Sequence, residues 1–96
     1  MNVNAVKWVV RAPRELGKIL RRLPVEVGRL FEAFVSDLEN EGPFPKGWNI
    51  GHLGGEWKGC LKAKLKRDYR VVYRYESKTI TIFIEKVGDR RDVYGR

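Results

Sequence analysis

Leu61-Lys62-Ala63-Lys64-Leu65-Lys66, followed at once by Arg67-Asp68-Tyr69-Arg70-Val71-Val72-Tyr73, alternates apolar and charged residues and then reads as a second strand after a short break. Successive side chains of a strand point to opposite faces, so Leu61, Ala63 and Leu65 face a core. Lys62, Lys64 and Lys66 share the other face at a spacing of about 7 Å. The break, Lys66-Arg67-Asp68, is short enough for an antiparallel hairpin. Three ammonium groups on rigid backbone make a cationic platform suited to a polyanion.

Working outward, the pattern predicts strands over Lys58–Lys66, Tyr69–Tyr75 and Thr79–Val87, the last with Ile80, Ile82 and Ile84 on one face and Glu76-Ser77-Lys78 as its tight connection. Upstream, Gly54-Gly55 is a turn and Trp48 to Leu53 is a short strand or irregular. Gly42-Pro43-Phe44-Pro45-Lys46-Gly47 is a loop that separates a helical half from a β half. Within the helical half, Leu16, Ile19, Leu20 and Leu23 recur at helical spacing after Pro13, with Arg14, Lys18, Arg21 and Arg22 mainly on the other faces. Val27, Leu30, Phe31, Phe34, Val35 and Leu38 mark a longer amphipathic helix that stops near Asn40 to Gly42. Pro24 closes the first helix and starts the second. Val6 to Arg11 reads as a short opening strand. The order is therefore strand, helix, helix and an antiparallel meander, an α+β fold in which a two-helix hairpin covers one sheet face and leaves the other open.

Ninety-six residues, 43% of them apolar, predict one domain over residues 1–96. The net charge of +8 is uneven: residues 1–48 hold eight Lys/Arg against six Asp/Glu, and residues 49–96 hold twelve against six. Such a surface fits a nucleic acid, an acidic protein or an anionic membrane, and the aromatic content of 11% favours nucleic acid. A single cysteine, Cys60, excludes an internal disulfide, and with a single histidine, His52, it supplies no zinc set. The longest early apolar run, Trp8-Val9-Val10, is too short for a signal peptide or a membrane span of about 20 residues. A cytoplasmic protein without a membrane partner is expected.

Alternating lysines on a strand ordinarily form a solvated face or guard an edge. Here a second element accompanies them, Val87-Gly88-Asp89-Arg90-Arg91-Asp92-Val93-Tyr94. Together with Cys60 to Tyr73 it resembles the RelE/ParE toxin superfamily, and specifically its RelE branch of mRNA interferases. The resemblance covers nearly the whole chain. It implies the toxin of a type II toxin–antitoxin system, an endoribonuclease that cuts ribosome-bound mRNA in the A site by attack of the substrate's own 2′-OH, with no metal or cofactor. It implies catalytic roles for Lys62, Lys64, Arg70, Arg90 and Tyr94. The surrounding cations Lys58, Lys66, Arg67, Arg74 and Arg91 are then contacts to mRNA or rRNA. The implied partners are a RelB-like cognate antitoxin, the ribosome and mRNA, with operator DNA reached only through the toxin–antitoxin complex. In many relatives the residue between the glycine and the arginine is His or Lys, whereas this chain has Asp89.

The residues themselves fit such chemistry. Transesterification needs an aligned nucleophile, stabilisation of developing charge and a neutralised leaving group. Arginines clamp phosphate oxygens in a bidentate manner, which suits Arg70 and Arg90. Lys64, flanked by Lys62 and Lys66, is the candidate base, since like charges about 7 Å apart repel by roughly 0.6 to 2.4 kcal/mol and favour loss of a proton. Tyr94 suits either stacking on the scissile base or orienting the nucleophile. Trp8, Trp48 and Trp57 read as core or core-edge residues, His52 as a loop or capping residue, and Asp89 and Asp92 as partners of Arg90 and Arg91. Two other readings stay open: a ParE-type gyrase inhibitor of the same fold, and an RNA-binding module without catalysis.

Overall fold

The computed structural model describes residues 7–93. The helical half begins with β1 (Val9–Arg11), α1 (Leu16–Arg22) and α2 (Val25–Glu41). The β half consists of β2 (Ile50–His52), a 3-10 turn (Gly55–Trp57), β3 (Leu61–Lys66), β4 (Tyr69–Glu76), β5 (Thr81–Asp89) and a four-residue helix α3 (Arg90–Val93). The five strands form one sheet in the order β1-β5-β4-β3-β2. β2 to β5 are the expected antiparallel meander, with Trp48 to Leu53 contributing a true strand. β1 runs parallel to β5, with Val9 opposite Thr81 and Arg11 opposite Phe83; the helices carry the chain from β1 to β2 at the opposite edge, and the meander returns it to β1. Val6, expected in the opening strand, lies outside the described residues.

The break between the helices follows from Pro24. Its ring disfavours helical backbone at the residue before it, and Leu23 is extended (ψ 153°). Pro24 then stands at the N-cap of α2. Along α2, Val27, Phe31, Phe34 and Leu38 fall on one stripe and are buried against the sheet. They meet Leu61, Ala63, Leu65, Val71, Tyr73, Ile82, Ile84 and Val87 in one core. Phe34 is central, edge-on to Trp48 (4.9 Å) and to Tyr73 (5.4 Å). The Tyr73 hydroxyl donates to the Pro43 carbonyl at 2.6 Å, which satisfies a buried polar group, and burial pushes its pKa well above the usual tyrosine range. The Trp48 indole N–H donates to Asp37 at 2.8 Å.

Gly42 ends α2 with φ +90°, and a Cβ there would lie 3.0 Å from the Trp8 indole nitrogen. Both the left-handed backbone and the close ring require glycine. Trp8 is thereby seated at the edge of the core, its main-chain N–H donating to the Glu39 carbonyl at 2.9 Å.

Two β-bulges correct the simple alternation. On β5, Tyr73 pairs with Ile84 but Val72 with Lys86, so Glu85 is the extra residue and the core positions change parity from Ile82 and Ile84 to Val87. On β3, Lys64 pairs with Arg70 but Lys66 with Tyr69, which makes Leu65 the extra residue. Three smaller expectations also change. Lys58 lies outside β3, as the residue that ends the 3-10 turn. The β4–β5 connection runs through Ile80, which sits at φ +51° and leaves Ile82 and Ile84 alone to face the core. β5 runs on to Asp89, past the expected end at Val87, and is followed by α3, which packs on β4 and β5. No helix among the described residues is long and apolar enough to cross a membrane.

Candidate functional site

Lys64 stands directly opposite Arg70 across the β3–β4 ladder, and Gly88 of β5 lies on the far side of Arg70. Directly paired residues share a face, so Lys64 and Arg70 project together from the face that α2 does not cover. Lys62 is two positions back on the same face, opposite Val72. Its stem passes Gly51 of β2, where a Cβ would come within 3.3 Å of the Lys62 Cε. Glycine at this position leaves room for the lysine to lie along the sheet. Lys62, Lys64, Arg70 and Asn49 line one polar cleft of about 110 Å³. Neither lysine has a hydrogen bond or ion pair among the described residues, so both ammonium groups are available to an anion.

Arg70 is anchored through one nitrogen. Its Nη1 donates to the carbonyls of Arg67 (2.9 Å), Tyr69 (3.2 Å) and Lys66 (3.4 Å), which clasps the β3–β4 turn and fixes the guanidinium beside the cleft. Arg90 arrives at the same turn from β5. Its N–H donates to the Asp68 carbonyl at 2.7 Å, and its Nε lies 3.8 Å from Asp68 Oδ1. Both side chains of that ion pair are more than half exposed, so it is worth at most about 1 kcal/mol and yields readily to a competing anion. Asp89 accepts from the Arg91 N–H (2.9 Å) and Nε (3.3 Å). These contacts, the main-chain one first, hold its carboxyl below the usual range. Asp89 is thus turned into the start of α3 and paired with Arg91, as expected.

Other expected members are placed elsewhere. Lys66 does not complete a lysine platform: the bulge at Leu65 turns it to the side of Tyr69 and the helices, where it pairs with Glu26 of α2. Lys64 consequently has one lysine neighbour on its strand face, Lys62. Arg74 is on the open face but committed, to Glu85 at 2.8 Å and over the Phe83 ring at 4.2 Å. Lys58 lies in the connection before β3. Arg67 is an exposed turn residue whose carbonyl serves Arg70. Tyr94 lies outside the described residues.

The face itself is less open than the strand pattern implies. Val72 is fully buried on it, between Lys62 and Lys86 in the pairing. The Lys86 ammonium stands 5.6 Å from the Trp57 ring, so the 3-10 turn reaches from the β2–β3 connection across β4 to β5. Trp57 is a roof over part of the face, half-buried. His52 is exposed at the end of β2, against Phe44, and Cys60 is a half-buried thiol whose pKa is raised by burial and then by Glu85. Among the described residues no group of three or more His, Cys, Asp or Glu is placed to hold a metal ion. Asn49 and Asp68 were not singled out by sequence. Asn49 enters the cleft only because its carbonyl accepts from the Lys64 N–H, beyond the last β2–β3 pair, and nothing in its neighbourhood along the chain marks that pairing.

The family described as "ParE toxin of type II toxin-antitoxin system, parDE" matches residues 6–94, which includes every strand and helix above. The chain belongs to this family. Among solved structures, the toxin is similar to the archaeal RelE–RelB complex of Pyrococcus horikoshii OT3, with 30% identity over 88% of this chain and 97% of that chain at a TM-score of 0.73. It is also similar to the toxin–antitoxin complex RelBE2 of Mycobacterium tuberculosis, with 26% identity over 88% and 93% at a TM-score of 0.67. The RelB–RelE complex of Methanococcus jannaschii shares the fold at 14% identity, over 88% and 94%, with a TM-score of 0.72. No curated protein sequence matches the chain. It is a toxin of the RelE/ParE superfamily with the β-α-α-β order that the sequence implied.

Proposed function

We propose that this toxin is a ribosome-dependent endoribonuclease that cuts mRNA in the A site. The observation that carries the reading is the cleft of Lys62, Lys64 and Arg70, with Arg90 delivered to the same β3–β4 turn from a strand twenty residues away in sequence. A phosphodiester seated there has one guanidinium anchored beside it and a second held only by a weak, exposed ion pair. In the proposed reaction Lys64 acts as the base and takes the proton of the 2′-OH as that oxygen attacks the adjacent phosphorus. Arg70 and Arg90 stabilise the charge that builds on the non-bridging oxygens. The bond to the 5′-oxygen breaks, that oxygen takes a proton from the Lys62 ammonium, and the products are a 2′,3′-cyclic phosphate and a 5′-hydroxyl. Tyr94, a site residue by the resemblance, either stacks on the scissile base or orients the nucleophile. The sequence of proton transfers needs no metal.

The partner proposed for the resting state is a RelB-like antitoxin, because the similar solved toxins are complexes with such proteins. Operator DNA is then bound only through that complex. The test is primer extension on mRNA programmed into 70S ribosomes, with naked RNA as control and a Lys64→Ala/Arg90→Ala variant beside the natural chain. Cuts confined to the A site and absent with the variant support the reading. A second reading rests on the family match itself, which is to ParE toxins: inhibition of DNA gyrase without RNA cleavage. A folded protein that leaves ribosomal mRNA intact and blocks supercoiling by gyrase establishes that alternative. One that binds RNA and does neither is a binding module.

A further inference from the structure

The sheet's cations are largely committed to partners within the fold: Lys66 to Glu26, Arg74 to Glu85, Arg90 to Asp68, Arg91 to Asp89 and Lys86 to the Trp57 ring. α1 is the opposite case. Lys18, Arg21 and Arg22 on the helix, and Arg14 in the turn that leads into it, are all exposed. None has a hydrogen bond or ion pair among the described residues. Arg21 and Arg22 occupy the last turn of α1, where the helix dipole favours cations by about 0.3–1 kcal/mol. Repulsion from Lys18, at i+3 and i+4, offsets a similar amount, and Arg14 gains nothing from that end of the helix. The fold therefore gives no account of four neighbouring cations against one acid, Glu15.

The chemistry of the patch selects its partner. None of the large exposed apolar side chains, Val9, Val25, Phe44 and Tyr75, lies on α1. Protein interfaces are anchored by a core of apolar and aromatic groups that is depleted in charge, even though arginine is common around it. A nucleic-acid backbone requires only cations at its phosphates. The patch also adjoins the candidate site: Arg22, with Ile19 and Leu23, lines a groove of about 380 Å³ against Tyr69, Val87, Gly88 and Asp89, the end of β5 that delivers Arg90. One folded RNA can thus lie across both.

We infer that the α1 face formed by Arg14, Lys18, Arg21 and Arg22 is a docking surface for the phosphate backbone of folded RNA, namely ribosomal RNA beside the bound mRNA. This rests on the ribosome-dependent reading above and adds to it a surface outside the cleft. It predicts a division of labour, in which α1 contributes to ribosome affinity and not to the chemical step.

The test measures binding to purified 30S subunits between 50 and 300 mM KCl for three proteins: the natural chain, Lys18→Gln/Arg21→Gln/Arg22→Gln, and Lys7→Gln/Lys46→Gln/Lys78→Gln. Both variants lose three charges, so the second controls for net charge, and circular dichroism confirms that each is folded. Each phosphate contact contributes about 0.7–0.9 to the slope of log K against log salt. The α1 variant is expected to lose about two units of slope and at least roughly tenfold in affinity at 100 mM KCl, with an unchanged cleavage rate at saturating ribosomes. The control variant is expected to keep most of its slope. Equal slopes for the two variants overturn the assignment of α1. A natural chain that does not bind 30S subunits overturns the ribosome reading and this inference with it.

Discussion

On the α2 side of the sheet, burial is continuous: Phe31, Phe34, Leu38, Leu61, Val71, Tyr73, Ile82 and Ile84 close on one another, and the one hydroxyl among them is satisfied by Pro43. On the other side Val72 is fully buried, while Lys62, Lys64 and Arg70 surround a polar cleft and Arg74 and Lys86 lie against Glu85 and the Trp57 ring. One face derives its stability from apolar area, each fully buried Phe or Leu contributing about 1.5–3 kcal/mol. The other carries exposed charge whose removal leaves that area intact. On the proposed reading, stability and activity are therefore separable by mutation, one face for each.

The largest effect expected is on the charged face. Lys64→Ala is predicted to lower ribosome-dependent cleavage by about 10²–10⁴-fold, the usual contribution of a positioned acid or base, while the thermal midpoint moves by no more than a few degrees. Loss of folding together with activity would break the separation. Phe34→Ala probes the other face. Removing a ring with no exposed surface is predicted to destabilise the fold by about 3–5 kcal/mol in urea titration, and a change under about 1 kcal/mol would show that the core collapses around the gap.

Tyr73→Phe is a finer cut through the same face. It leaves the Pro43 carbonyl without its donor and is predicted to cost about 1–3 kcal/mol. It also carries a pH signature. Burial raises the folded-state pKa of Tyr73 above that of the unfolded chain, so its contribution is fully present below about pH 10 and declines as pH rises further. The natural chain should lose stability above about pH 10 more steeply than Tyr73→Phe, and parallel alkaline curves would refute the assignment. The smallest effect expected is for Glu26→Gln, which releases Lys66 from α2. The exposed pair is worth at most about 1 kcal/mol, so the thermal midpoint should fall only slightly, and a larger loss would mean that this pair fastens α2 to β3.

Much of this arrangement was legible along the chain because it depends on periods. Leu61, Ala63 and Leu65 alternate, Val27, Phe31, Phe34 and Leu38 recur at helical spacing, and Pro24 and Gly42 punctuate. What escaped depends on single inserted residues and on contacts between distant segments. A bulge changes no residue type, so nothing in Lys64-Leu65-Lys66 announces that Lys66 turns away from Lys62 and Lys64. Arg74 reads as a free cation until Glu85 is placed beside it by the second bulge. Asn49, Asp68 and Trp57 reach the site through pairings that local sequence does not encode.

The parallel pairing of β1 with β5 has a consequence for how the chain becomes a toxin. Val9 and Thr81 stand seventy-two positions apart, and closing a loop of that size costs roughly 4 kcal/mol of chain entropy before any contact compensates it. The hairpins of β2 to β5 close over a few residues and are the contacts that form fastest. During synthesis β1 emerges well before β5, its neighbour in the sheet among the described residues. β1 therefore leaves the ribosome unpaired and stays so until β5 has followed it.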